Sequence, residues 1–220
     1  MRVYKFLTAE YALSNIALQR IRISRISDLN DPFELLAVNV SGRKALRSRL
    51  ESWKHKLHSS KGLMCFSKDW RNPVLWSHYA SKHHGICLGF DIPDKLGREI
   101  QYSTQRITAQ IEEDGSFHPD EHFVQTLLYT KYSHWAYEEE VRVFVELDRR
   151  TIEGDSYFYP FSNDLHLSHV VLGPLCSVPI ERVRDLVART CGGVFVDKGR
   201  LAFKSFRVVQ DERHKARPVA

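Results

Sequence analysis

The chain has 220 residues, of which 43% are apolar and 11% aromatic, the make-up of a globular protein long enough to bury a sizeable core. A formal charge of +5 and a pI near 9.0 permit a polyanionic partner. No apolar run is long enough to cross a bilayer, and the opening MRVYKFLTAEYAL lacks the apolar centre and cleavage site of a secretion signal, so a cytoplasmic protein without a membrane partner is expected.

Residues 2–6 read as a strand, followed by a helix that Thr8 caps and that places Leu13, Ile16 and Ala17 at helical spacing. A second strand is expected at 21–24. In Leu29-Asn30-Asp31-Pro32-Phe33-Glu34, Asp31 can cap a short helix, Pro32 suits its first position and Glu34 completes a capping box. The alternative is that Asn30, Asp31 and Glu34 face a ligand. Near 43–59 the spacing of Leu46, Leu50, Trp53 and Leu57 predicts an amphipathic helix. Its cations, from Arg43 to Lys61, read as a solvated face or, alternatively, as a nucleic-acid contact along 43–61.

Gly62 to Ser67 is apolar enough for a buried strand. Asn72 and Pro73 then open a helix that Gly85 ends in a left-handed conformation, before a strand at Ile86 to Phe90. Trp76, Tyr79, Ala80 and His83 share one face at this spacing, so aromatic core packing competes with Tyr79 or His83 lining a cleft. His78 points elsewhere and His84 abuts the glycine, which keeps the histidines from converging on a metal.

Further elements are a helix at 119–131, a strand from Glu139 to Leu147, strands at 156–161 and 169–172, and a helix from Pro179 through Thr190. Gly192-Gly193 breaks that helix before strands near 194–197 and 203–208. Strand alternation puts Val141, Val143, Val145 and Leu147 on one face and Glu140, Arg142 and Phe144 on the other, with Glu138 extending the second row. That row is either solvent-facing or, with Trp135 and Tyr137 beside it, a cleft wall. An acid beside an arginine stays ionised.

Cys65, Cys87, Cys176 and Cys191 form no C-x-x-C pair, which argues against a disulfide framework or a zinc ribbon. No linker, repeat or glycine-rich phosphate loop appears, so a doubly wound nucleotide-binding sheet is not expected. The expected architecture is a single α+β domain over 1–212, with 213–220 as a weakly ordered basic tail.

The segments YKF at 4–6, LNDPFE at 29–34, CFS at 65–67, LWSHYASKHHGICLGFD at 75–91 and K-x-x-x-W-x-x-E-x-E-V-R at 131–142 together resemble the bacterial domain-of-unknown-function family 2971. More distantly, their order resembles the ADP-ribosyltransferase superfamily: strand, helix, short strand, a strand ending in serine, an aromatic segment and a late glutamate. The first strand offers Lys5 where that superfamily has histidine or arginine.

This second resemblance implies a split, mainly antiparallel β core flanked by helices, NAD as substrate and no metal. Glu140 would bond the nicotinamide ribose and stabilise the oxocarbenium-like centre, Tyr79 would stack on nicotinamide, and Glu138 would orient or deprotonate an acceptor. Tyr4, Lys5, Asn30, Ser67, His83 and Arg142 would complete the NAD site. The function so implied is an ADP-ribosyltransferase-like or NAD-cleaving enzyme, used as a toxin or antiphage effector. The competing expectations are a metal-dependent nuclease using Asp31, Glu34, Glu138 and Glu140, and a non-catalytic ligand-binding module.

Overall fold

The computed structural model describes residues 1–31, 33–34, 37–108, 120–148 and 151–214. In chain order, β1 (Arg2–Leu7) leads through Thr8, whose side chain accepts from the Tyr11 N–H, into α1 (Ala9–Ala17) and β2 (Arg20–Ile23). Next come α2 (Lys44–Ser60), β3 (Lys61–Ser67), α3 (Pro73–Tyr79) and β4 (Ile86–Asp91). The short β5 (Arg98–Glu99) and β6 (Gln101–Ser103) precede α4 (Glu121–Leu128), β7 (Thr130–Tyr132), a 3-10 turn at Ser133–Glu138 and β8 (Glu140–Glu146). The remainder is β9 (Ile152–Glu153), β10 (Ser156–Pro160), β11 (His166–Leu172), α5 (Ile180–Thr190), β12 (Phe195–Leu201) and β13 (Val208–Gln210).

These elements form one α+β domain. Its main sheet has eight strands in the order β13-β12-β11-β4-β1-β3-β8-β5; β11 and β12 run parallel and the other neighbours antiparallel. A second sheet joins β2, β10 and β9, and β6 pairs with β7 in parallel. One face of the main sheet buries Met64, Phe66, Val141, Val143 and Val170 under α1 and α5. On the other face Trp76 of α3 meets Phe6 edge-on, and α2 and α4 cover Leu63 and Phe144. The two-residue period of each strand thus separates a mainly apolar face from a face that carries Ser67, Glu140 and Arg142.

The feature that positions the site lies between β1 and β3. They pair at one register point, Tyr4 with Ser67, whereas β1 pairs with β4 from Arg2 to Leu7 and β3 with β8 from Lys61 to Ser67. Past that point β3 turns to Ser24, whose backbone exchanges hydrogen bonds of 3.0 and 2.9 Å with Leu63. The sheet therefore splits. Lys5 Nζ reaches across the gap to the Cys65 carbonyl at 3.1 Å, which satisfies an acceptor that the missing strand pairing leaves open.

Several expectations need correction. α3 stops at Tyr79, and Ser81, Lys82 and His83 follow at positive φ (48°, 53° and 71°), so His83 leaves the helix and shares no face with Tyr79. Gly85 is not the left-handed residue; a Cβ there would lie 2.0 Å from the Leu7 carbonyl oxygen, so it is glycine because two backbones touch. Asp31 Oδ1 accepts from the Phe33 N–H at 2.9 Å, while Pro32 and residues 35–36 of the expected short helix lie outside the described residues. The strand expected at 203–208 is an exposed turn leading into β13. Of the expected tail, 213–214 belong to the 3-10 turn Glu212–His214, and 215–220 lie outside the described residues, as does residue 119 of the expected helix at 119–131.

Candidate functional site

The V between β1 and β3 is a cleft of about 210 Å³ lined by Tyr4, Lys5, Asn30, Ser67, Tyr79, Glu138 and Glu140 of the expected site residues. Tyr4, Ser67 and Glu140 stand in one cross-strand row, since Tyr4 pairs with Ser67 and Ser67 with Glu140. Arg142 lies behind the cleft, fully buried, and holds its floor. The structure does not bring His83 to the cleft; its carbonyl accepts the Leu175 N–H at 3.1 Å on the far side of α3.

Glu138 and Glu140 both face the cleft, although not by strand alternation. Glu138 ends the 3-10 turn, and Glu139, left-handed at φ 43°, swings the chain so that β8 starts with Glu140 on the same side. The row is not solvent-facing: Glu138, Glu140 and Arg142 are all buried. Glu140 Oε1 accepts from Arg142 Nε at 2.7 Å, and its Oε2 accepts from Arg142 Nη2 at 3.1 Å and from Lys131 Nζ at 3.0 Å. Lys131 also donates to Glu138 Oε2 at 2.6 Å, and the Tyr79 hydroxyl donates to Glu138 Oε1. Asn30 Nδ2 in turn donates to the Tyr79 oxygen at 2.8 Å.

Glu34, 108 residues away in the chain, completes the set by accepting from Arg142 Nη1 at 2.6 Å. Its expected role in a capping box is therefore not the one it plays. Lys131 sits over the Trp135 ring at 4.9 Å, and the Tyr102 hydroxyl accepts the Glu140 backbone N–H at 2.8 Å. The run K-x-x-x-W-x-x-E-x-E-V-R is thus one buried cluster. Sequence reasoning did not assign Lys131, Tyr102 or Cys65 to the site; the signal for Lys131 was its place at the head of that run.

The electrostatics follow from this geometry. Burial pushes the Glu140 carboxyl up, but the Arg142 guanidinium, Lys131 and a Cys65 hydrogen bond outweigh it and hold the group down to about 2. Burial likewise opposes the Lys131 ammonium, yet Glu140 and Glu138 keep it charged well above its ordinary range. The Tyr79 hydroxyl is raised by burial and by Glu138, so it stays a neutral donor. The Cys65 thiol is raised by burial and by Glu140, which makes it a poor nucleophile. Among the described residues, no group of three His, Cys, Asp or Glu side chains is placed to hold a metal ion. No described helix is long and apolar enough to cross a membrane.

Fold and site together define an α+β domain with a small polar cleft at a split in its sheet. Residues 75–143 match the model of a family described as Protein of unknown function (DUF2971). The matched stretch runs from α3 to β8 and holds Tyr79, Lys131, Glu138, Glu140 and Arg142, which supports the resemblance to that family. No curated protein and no solved structure gives a significant match.

Proposed function

We propose that the cleft binds the nicotinamide-ribose end of NAD and that the chain is an ADP-ribosyltransferase-like or NAD-cleaving enzyme. The observation that carries this reading is the row Tyr4, Ser67, Glu140 at the split, with Glu140 held ionised. Departure of nicotinamide leaves an oxocarbenium-like sugar, and a fixed carboxylate stabilises that charge without reorganising. Glu34, Glu138 and Glu140 face Lys131 and Arg142, an excess of one negative charge that suits a cationic transition state. The cleft is smaller than the roughly 300–1,000 Å³ of sites that enclose a whole ligand, which fits a ring and its sugar, with the diphosphate outside beside Lys5. Tyr79 supplies the stacking surface, and Glu138 is the carboxylate that would meet an acceptor hydroxyl.

A nuclease reading fares worse, because a divalent cation would have to displace Lys131 and Arg142 from the same oxygens. The binding-module reading has one observation in its favour: both Glu140 oxygens already have fixed cationic partners. The two are separated by incubating wild type and Glu138→Gln with NAD and following nicotinamide release by chromatography. Wild type should release nicotinamide, and the variant should be slower by about 100- to 1,000-fold. NAD binding without release would favour the module, and absence of both would end the NAD reading.

A further inference from the structure

The turn joining β12 to β13 carries the most exposed large apolar side chains among the described residues: Phe203 is 92% and Phe206 97% exposed. This turn is anchored. The Ala202 N–H donates to the Arg207 carbonyl at 3.0 Å, the Val208 N–H donates to the Arg71 carbonyl at 2.9 Å, and Arg207 is ion-paired with Asp69. Rings held in water on a fixed turn mark a contact surface. Cations alternate with them along Arg200-Leu201-Ala202-Phe203-Lys204-Ser205-Phe206-Arg207, and the Arg200 guanidinium lies over the Phe203 ring at 4.7 Å.

Behind the turn a groove runs past Arg200, Arg71 and Trp70 to Tyr4 and His169. His169 is only 8% exposed, and its Nε2 lies 2.8 Å from Asp197 Oδ2, while Asp197 Oδ1 accepts from Gln210 Nε2 at 2.7 Å. Asp197 thus engages one ring nitrogen and leaves Nδ1 as the other polar atom of the ring. That Nδ1 is buried and has no hydrogen-bond partner among the described residues. A buried polar atom without a partner beside the groove is an unexplained feature of its lining.

We propose that this groove binds single-stranded nucleic acid, with bases stacked on Phe203 and Phe206 and phosphates along the cations. Among the lining residues Arg2, Arg71, Arg200 and Lys204 oppose Asp197 and Glu212, which leaves the groove positive. Only an unpaired strand presents free ring faces to stack on such side chains. A bilayer would take the turn but has no use for the groove behind it. Tyr4 lines both groove and cleft, so a bound strand lies beside the cleft wall. The inference does not depend on the chemistry in the cleft.

The test is fluorescence anisotropy with labelled oligo-dT and oligo-U of about 12 nucleotides and no NAD present. Wild type should bind, with affinity falling as salt rises. Phe203→Ala and Phe206→Ala should each weaken binding by roughly 5- to 150-fold. Both rings are solvent-exposed, so melting curves should not move. Tyr11→Ala, 63% exposed on α1, should bind as wild type does. No binding at low salt, or affinity untouched by the loop substitutions as for a strand held on α2, would overturn the proposal. So would co-sedimentation with phosphatidylserine vesicles in place of oligonucleotide binding.

Discussion

Arg142 is fully buried and touches Glu140 through two nitrogens and Glu34 through a third contact. Removing one member of such a set leaves a buried charge without its partner, a loss of about 3–5 kcal/mol. Glu34→Ala should therefore cost that much in denaturant unfolding, more than the roughly 0.5–2 kcal/mol of a lost helix cap. Glu140→Gln should be similarly destabilising, and Glu138, which shares the buried Lys131, belongs to the same set, so the rates of both variants are compared per folded molecule. The pH dependence has a definite sign. The Glu140 carboxyl is depressed from its ordinary 4.5 to about 2, so its stabilisation is present above about pH 4.5 and is lost as pH falls toward 2. Unfolding free energies measured across that window should decline in wild type, with a shallower decline in Glu140→Gln; equal slopes would contradict the assignment.

Two connecting elements aim the site through backbone conformations that leave little trace in sequence. Glu139 at φ 43° turns the chain between the 3-10 turn and β8. Glu139→Gly should be tolerated, whereas Glu139→Val, with a branched Cβ, should destabilise by about 1–3 kcal/mol and disturb the Glu138–Lys131 pair. Thermal melting of the two variants checks the difference. Gly85→Ala drives a Cβ against the Leu7 carbonyl and should cost about 1–3 kcal/mol by the same measurement. The alternation of Val141, Val143 and Val145 against Glu140 and Arg142 was legible because strand periodicity is local. The exit of His83 from α3 was not, since serine, lysine and histidine carry no signal for three successive left-handed residues. Lys131 stayed unassigned because its value comes from two carboxylates that only the turn brings to it.

At the scale of the molecule, the order of segments read from sequence becomes a sheet whose central strands part after one register point. The length of the chain and its apolar pattern were enough to expect one α+β domain. A split core was expected only through the distant resemblance; where the sheet parts depends on β3 leaving β1 for Ser24, which no single strand shows. Everything proposed for the cleft rests on that parting being a ligand site. Asn30 stands exposed at the mouth and bonds Tyr79. Asn30→Trp should fill the mouth while leaving the buried ion set and the melting curve unchanged. The decisive measurement is calorimetric titration of NAD into wild type and Asn30→Trp: the account predicts saturable binding to wild type that the variant loses, and no binding to wild type, or equal binding to both, would contradict it.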